Sequence, residues 1–314
     1  MIRKNLPQNL KDYFDDIDSI TDFSQCEILQ KINFILFTLT LYRLPDLYNV
    51  NDKNESIYVY SLTIGKKKRP VVCATDILGG VFKWNNTTKH ATANYPIAFI
   101  NAICCILFKR WNAFILTTYN KGMFDDGDTP ENFALALKNV AYNNIQAVRF
   151  IKTLETTDCD RIYAIGVSLG ALTMEGTYAI EDSYKKAVII IGGYPVTSII
   201  TDSEEGMVRN FYDRMYKLYG ALAPMMIHEA IKEIEDTYKY APGEGIFQIL
   251  MSNKDESVPS IYQKYYSEVI KAKEVLALPY ISLFAIGELK NGHYQTLLYY
   301  SYLIYRSLKF LGRD

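Results

Sequence analysis

Short apolar runs alternate with longer amphipathic segments over most of the chain, from about residue 57 to residue 312. The runs are rich in β-branched and aromatic residues at consecutive positions, which is typical of strands buried on both faces of a parallel sheet. The pattern predicts strands at 32–41, 57–64, 70–74, 113–118, 161–166, 187–192, 246–251 and 280–286. It predicts helices at about 95–108, 129–154, 169–179, 260–275 and 294–311. Such alternation predicts the α/β class, with a mostly parallel central sheet and helices on both faces.

The strand pattern stops between about residues 195 and 242, where the sequence is helical and rich in Tyr and Met. We expect this segment to be a helical cap insertion within a domain that spans residues 57–314, preceded by a lead-in with the first strand over residues 1–56. Its aromatic and thioether side chains either line an apolar pocket or belong to the core. They are Tyr194, Tyr212, Tyr216, Tyr219, Met207, Met215, Met225 and Met226.

A pentapeptide of the pattern G-x-S-x-G occupies residues 166–170, between an apolar strand and a helix. This strand–turn–helix context places a serine hydroxyl at the tip of a strained turn, the nucleophile elbow. The glycines leave room for close backbone approach, and the helix N-terminus directs N–H groups at developing negative charge. Ser168 is therefore the candidate nucleophile, and an ordinary glycine-containing turn is the alternative.

A serine hydroxyl needs a base to remove its proton, and histidine is the usual choice. The chain has three histidines. His90 precedes the serine in the chain, and His228 lies in the middle of a predicted helix. His293 lies in the loop before the last helix, from which it can reach the carboxyl edge of the sheet. His293 is therefore the candidate base.

The base must be oriented by a carboxylate that lies between serine and histidine in this chain order. Asp255 directly follows the strand at 246–251, at the sheet edge where catalytic groups gather in open α/β folds. Glu256 is its immediate competitor, and Asp202 and Asp182 are more distant ones. The sequence favours Asp255.

The order Ser168, Asp255, His293 and the elbow resemble the α/β-hydrolase superfamily, in particular its serine esterase and acyl-peptidase-like members. The loop at 119–125 is similar to their Tyr-Arg-Gly-x-Gly-x-Ser phrase, but Phe124 replaces its second glycine. The resemblance covers about residues 57–312 and implies a Ser-His-Asp catalytic triad.

The same resemblance implies an oxyanion hole. One donor would be the N–H of Leu169, which follows the nucleophile, and the other would come from Ile77 or Leu78, after the third strand. Many members have His-Gly in that loop, whereas this chain has Thr75-Asp76. Backbone donors need no particular side chain, so this difference leaves the expectation standing.

The expected function is a serine hydrolase, first a carboxylesterase, that cleaves an ester or related acyl bond of a small-molecule substrate through an acyl-enzyme. Acyl-peptidase, thioesterase, an oxidoreductase of the cofactor-free peroxidase kind and a non-hydrolytic binding protein on the same scaffold remain alternatives. Phosphate-binding and dinucleotide-binding glycine motifs are absent from the sequence, and the three histidines are scattered. We expect no cofactor and no metal ion.

Composition and charge indicate which partners and which cellular location to expect. Thirty-four basic and thirty-five acidic residues give a net charge of −1, which argues against nucleic acid as a partner. The five cysteines lack a C-x-x-C pair, and the apolar stretch at 97–108 is too short for a membrane span. No secretory signal is legible, so we expect a soluble cytoplasmic protein.

The basic run at 66–69 is interpreted as a solvated turn rather than an anion site.

Overall fold

The computed structural model describes residues 1–19, 23–45, 56–75, 82–85, 90–93, 104, 106–116, 124 and 129–313. Its strands are β1 (Glu27–Asn33), β2 (Thr38–Pro45), β3 (Ser56–Thr63), β4 (Arg69–Thr75), β5 (Phe82–Asn85), β6 (His90–Ala93), β7 (Asn112–Leu116), β8 (Thr157–Val167), β9 (Lys186–Ile190), β10 (Ile246–Met251) and β11 (Glu274–Leu278). Its α-helices are α1 (Gln8–Tyr13), α2 (Pro130–Thr153), α3 (Leu169–Ile180), α4 (Val196–Asp202), α5 (Gly206–Tyr219), α6 (Ala223–Thr237), α7 (Ser260–Val269), α8 (Gly292–Gln295) and α9 (Tyr300–Leu311).

Nine of these strands form one sheet in the order β1-β2-β3-β7-β4-β8-β9-β10-β11. The pairs β1/β2, β2/β3 and β3/β7 are antiparallel, and the remaining pairs are parallel. Strands β5 and β6 form a separate hairpin. The predicted α/β class with a mostly parallel sheet is confirmed.

Apolar side chains fill both faces of the sheet. In β4, Val71 and Cys73 belong to one core cluster, which also includes α2 and α3, whereas Val72 belongs to a second cluster with α9. Consecutive strand residues point to opposite faces, so an unbroken apolar run serves both clusters. Helices therefore cover the sheet on both sides, as the sequence predicts.

The prediction of one strand over residues 32–41 is wrong. The segment contains the turn of a hairpin, in which Asn33 pairs with Thr38 and the Phe34 N–H donates to the Phe37 carbonyl at 2.8 Å. The turn residues are as apolar as the strands beside them, although they project into solvent. The sequence therefore gives no polar signal for the turn. Residues 1–56 therefore supply two strands and the start of β3 to the sheet.

The prediction of a strand over 280–286 is also wrong. The last strand is β11, and the helix before it ends at Val269 instead of 275. Lys271, in the turn between them, has φ of 53°. Residues 282–290 form short 3₁₀ turns in which the apolar Leu283 is 86% exposed. The β-branched and aromatic residues of this segment are typical of a strand, but the segment is largely exposed and forms no strand.

Three helices, α4 to α6, lie between β9 and β10, where the sequence predicts a helical insertion. The predicted helix at 95–108 lies largely outside the described residues, although 106–109 are helical. The loop at 119–128 also lies outside them, apart from Phe124. In the described part of the chain, no helix combines the length and apolarity needed to cross a membrane.

Candidate active site

The sheet order reverses at β4, which has β7 on one side and β8 on the other. From β4 the chain continues to β7, and after α2 it returns to β8 on the opposite side of β4. Ligands bind in open α/β sheets at such a reversal, beyond the carboxyl ends of the strands. Ser168 directly follows β8, so it lies at this position.

The turn that carries Ser168 is strained. Ser168 has φ of 57° and ψ of −124°, a backbone conformation that residues with a Cβ rarely adopt. Its N–H donates to the Ile190 carbonyl at 3.0 Å, which holds the turn against β9. A Cβ at Gly166 would lie 2.6 Å from the Gly170 carbonyl oxygen, so only glycine fits there. The turn has the form of a nucleophile elbow.

Ser168, His293 and Asp255 form one chain of hydrogen bonds. Ser168 Oγ lies 2.8 Å from His293 Nε2, and His293 Nδ1 lies 3.1 Å and 3.2 Å from the two carboxylate oxygens of Asp255. The contacts fit the tautomer in which Nδ1–H donates to the carboxylate and Nε2 accepts from the serine hydroxyl. His293 and Asp255 are both buried.

The carboxylate of Asp255 is held by donors from its own loop and from α7. The backbone N–H groups of Ser257 and Val258 donate to Oδ1 at 3.0 Å and 2.8 Å. The Gln263 amide donates to Oδ2 at 2.8 Å. This buried carboxylate is therefore fixed in the orientation that meets the imidazole.

The histidine is held by the residues before it. The side-chain oxygen of Asn291 accepts from the His293 N–H at 2.9 Å and from the Glu256 N–H at 3.0 Å, so one amide links the histidine loop to the acid loop. Gly292 donates its N–H to the Lys254 carbonyl at 2.6 Å, and a Cβ there would lie 2.8 Å from the same oxygen. Glycine is therefore required beside His293.

The first of the expected oxyanion donors is described and the second is not. Leu169 is the first residue of α3, so its N–H has no acceptor within the helix. Ile77 and Leu78 lie outside the described residues. Thr75, which precedes them at the end of β4, donates its hydroxyl to the Gly170 carbonyl at 2.8 Å. This bond fastens the end of β4 to the first turn of α3.

The alternative acids and bases point elsewhere. Asp202 accepts a short hydrogen bond from the Tyr262 hydroxyl, and Glu256 is exposed. Asp182 meets the N-terminal amine. His228, on α6, contacts Glu235 through Nδ1 at 3.0 Å.

A cavity of about 280 Å³ opens at Ser168 and His293. Its walls are mostly apolar and come from the core and from the insertion. The apolar lining residues from the insertion are Val196, Ile199, Ile200, Met207 and Val208. Of the eight Tyr and Met side chains proposed from the sequence, Met207 alone is among the lining residues, whereas Met215 is buried in the core.

One carboxylate, that of Glu205, also lines the cavity. It accepts from the Ser257 hydroxyl at 2.9 Å and from the Tyr294 hydroxyl at 3.1 Å. Ser257 Oγ in turn accepts from the Asn291 amide at 3.2 Å. Glu205 therefore joins the insertion to the loops that carry Asp255 and His293.

Sequence reasoning missed the residues that hold the candidate triad in position, namely Gln263, Asn291 and Thr75. An aspartate whose side chain accepts from the N–H groups two and three residues later is a common local motif, so the Asp255 turn had a signal in the sequence. The Gln263 contact has none, because any polar residue on that turn of α7 fits the sequence pattern equally well.

Within the residues that the structure describes, no three His, Cys, Asp or Glu side chains are grouped as metal ligands would be. The triad and its polar neighbours are satisfied by one another, through the bonds given above. The described part of the site brings together a hydroxyl, an imidazole and a carboxylate.

No family model matches the chain, and no curated protein matches it in sequence. Solved structures do match. An acetyl xylan esterase from a Thermoanaerobacterium species has a TM-score of 0.62 at 11% identity, over 95% of this chain and 94% of that one. A glucuronoyl esterase from Solibacter usitatus has a TM-score of 0.53 at 11% identity, over 89% and 86%.

An acylaminoacyl peptidase from Pyrococcus horikoshii has a TM-score of 0.53 at 13% identity, over 90% of this chain but 43% of that one. At identities this low, these structural matches show a shared fold and nothing further. The matches agree with the sheet order, with the turn at Ser168 and with the cavity at the sheet edge: the chain has the α/β-hydrolase fold.

Proposed function

We propose that the protein is a serine hydrolase that cleaves small carboxylic esters through an acyl-enzyme, with Ser168 as nucleophile, His293 as base and Asp255 as orienting acid. The observation that carries the proposal is the continuous chain of hydrogen bonds from Ser168 Oγ through the imidazole to the Asp255 carboxylate. A hydroxyl in this setting can pass its proton to Nε2 as it attacks a carbonyl carbon.

The proposed reaction has two halves. Ser168 Oγ attacks the ester carbonyl, and His293 takes the hydroxyl proton while the new negative charge on the carbonyl oxygen meets the Leu169 N–H. The tetrahedral intermediate then collapses, and the imidazolium gives its proton to the departing alkoxide. Water repeats the sequence on the acyl-enzyme, releasing the carboxylic acid and restoring the serine. Asp255 stabilises the imidazolium in both halves and keeps its own negative charge.

The walls of the cavity bear on which acyl groups would enter. Its volume is at the lower end of the range of small-molecule sites, which favours a short acyl group over a long one. Two of the structures that share the fold are named as esterases, which favours ester over amide chemistry. Acyl-peptidase and thioesterase activities use the same proposed triad and are the alternatives.

We further propose that part of the 195–242 insertion caps the site. Helix α4 and the first turn of α5 contribute five apolar lining residues, and Glu205 lies between these two helices. A change in this part of the insertion would alter the acyl group that is accepted, with little effect on reactions of a substrate too small to reach it.

A chain-length series of p-nitrophenyl esters, measured with the purified protein, tests the function. We expect hydrolysis that is fastest for short acyl groups, and a loss of about 10³-fold or more in kcat for Ser168→Ala with the fold unchanged. Ser267→Ala, on α7, is the matched control and should keep wild-type activity. Undiminished hydrolysis by Ser168→Ala would contradict the proposal. Faster cleavage of matched anilides or thioesters would move the substrate class to an alternative.

A further inference from the structure

Three chain segments meet at the end of the sheet that lies away from Ser168. They are the turn between β1 and β2, the turn between β3 and β4 at residues 64–68, and the end of the short helical segment at 106–109, with Arg110 after it, before β7. The first is placed beside the second because Thr38 pairs with Thr63. The Arg69 guanidinium donates to the Ile64 carbonyl at 2.8 Å and to the Arg110 carbonyl at 3.2 Å, which ties the second segment to the third.

The apolar part of this end is unusual for a protein surface. Ile35 is fully exposed and Phe108 is 88% exposed, while Phe34 and Leu36 also face solvent. The turn is well defined, since the Phe34 and Phe37 rings stack with their centroids 4.6 Å apart. Four large exposed apolar side chains on segments at one end of the sheet are the kind of feature that marks an interaction site. We name these four residues the apolar tip.

Exposed basic residues lie on the second and third of these segments, and we name them the basic rim. It consists of the exposed residues Lys66, Lys67, Lys68, Lys109 and Arg110. The net charge of the whole chain is −1, so this local excess of positive charge is a departure from its average. Acidic residues at this end of the sheet include Asp158, at the start of β8, and Glu274, at the start of β11, both beyond β4 from the β1–β2 hairpin. Asp158 is paired with Arg161 at 2.7 Å and Glu274 with Arg313.

We propose that the apolar tip and the basic rim form a docking surface for an anionic phospholipid bilayer. The tip would enter the boundary between headgroups and acyl chains, and the rim would meet the negative charges of the headgroups. A nucleic acid would match the rim but leave the apolar side chains in water. A second copy of the chain, docked tip to tip, would bring two basic rims together. A lipid surface matches both features, and docking here leaves the site at Ser168 facing the aqueous phase.

Sedimentation of the full-length protein with vesicles tests this proposal, independently of the hydrolase assignment. We expect the protein to pellet with phosphatidylcholine vesicles that contain phosphatidylserine, and to do so less with phosphatidylcholine alone. Binding should weaken in high salt, because exposed charges are screened within a few ångströms there. Failure of the protein to pellet with the anionic vesicles in low salt would overturn the proposal.

Two variants locate the surface. Ile35→Asp, and the triple variant Lys66→Glu, Lys67→Glu, Lys68→Glu, should each lower the vesicle partition coefficient by at least about tenfold. Leu283→Asp is the apolar control, since Leu283 is also largely exposed but follows β11 at the other end of the sheet. The charge control is the triple variant Lys264→Glu, Lys271→Glu, Lys273→Glu, which changes three exposed lysines on and after α7.

Both control variants should bind vesicles as the wild type does. Binding that is lost in Leu283→Asp and kept in Ile35→Asp would overturn the assignment of the surface. So would a dimer in sedimentation velocity without lipid that Ile35→Asp dissociates, because the tip would then be the interface between two copies. Partial unfolding is detected separately by the circular dichroism spectrum of each variant.

Discussion

Asp255 and Asp202 occupy different surroundings. Asp255 is buried and accepts from two backbone N–H groups, from Gln263 and from the imidazole of His293. Asp202 is exposed and meets Tyr262 instead. If Asp255 orients His293, removal of the Asp255 carboxylate changes the imidazole tautomer that Ser168 needs, whereas removal of the Asp202 carboxylate does not.

We therefore expect Asp255→Ala to lower kcat by about 10²–10⁴-fold with a smaller change in KM, by the size of orienting-acid effects in other triads. The matched variant Asp202→Ala should stay near wild type. Steady-state kinetics on one p-nitrophenyl ester measures both. The opposite ranking would assign the acid to Asp202 and leave Ser168 and His293 unaffected.

Glu175 is a buried carboxyl group on α3, seven residues after the candidate nucleophile. Within the described part of the chain, neither of its oxygens has a hydrogen-bond partner of good geometry, although the Gly193 N–H lies near. Burial raises the pKa of Glu175 well above its usual value, and the Gly193 N–H offsets this only in part. The folded protein therefore holds this side chain in its neutral form to a higher pH than the unfolded chain does.

The raised pKa of Glu175 determines the sign of a pH effect on stability. In the unfolded chain the Glu175 carboxyl loses its proton at about pH 4.3. The contribution of the neutral side chain to the free energy of unfolding is therefore complete below that pH, and it is lost as the pH rises through the pKa of the folded state. We expect Glu175→Gln to lack this loss, so that its free energy of unfolding gains on that of the wild type as the pH rises above about 4.3. Urea unfolding at several pH values measures it. A constant difference between the two proteins would contradict the expectation.

At the scale of elements, α6 belongs to the core more than to a lid. Ile227, Ile231 and Ile234 are buried at helical spacing, and α6 packs on α2 and α3. The expectation that the whole insertion forms a cap over the site stays a prediction.

This packing predicts a difference between two helix positions. Ile231→Ala should lower the free energy of unfolding by about 2–5 kcal/mol, because it leaves a cavity between α6 and its neighbours. Met225→Ala, at a half-exposed position of the same helix, should change it by no more than about 0.5 kcal/mol. Urea denaturation of the two variants checks this. Equal small effects would mean that α6 contributes little to the core.

The elements that the sequence predicts correctly are those buried on both sides. Strands β8, β9 and β10 each pair with a strand on both sides, and the parts of them that the sequence predicts are mostly apolar and buried. The errors fall at the two edges. Strand β11 alternates between half-buried and exposed positions and pairs with β10 alone, which gives it a weaker pattern than the apolar but exposed segment after it. Pairing and burial, which decide such cases, depend on residues far away in sequence.

At the scale of the whole molecule, Ser168, Asp255 and His293 could be proposed from the G-x-S-x-G motif and from their order in the chain, although the strand predicted directly before His293 does not form. Their surroundings could not. Asn291 and Gln263 contact the acid loop from two separate helices, and Glu205 reaches Ser257 and Tyr294 from the insertion. These contacts depend on how α4, α7 and α8 pack, which no local pattern encodes.

The central claim is that Ser168 is an activated nucleophile. The most direct measurement is reaction of the folded protein with a fluorophosphonate, followed by mass spectrometry of its peptides. A hydroxyl hydrogen-bonded to His293 should displace the fluoride and retain the phosphonyl group. We predict one adduct, on the peptide that contains Ser168, and its absence from Ser168→Ala, with strong reduction in His293→Ala. A folded wild-type protein that stays unlabelled, or that is labelled at another residue while Ser168 stays free, would contradict the claim.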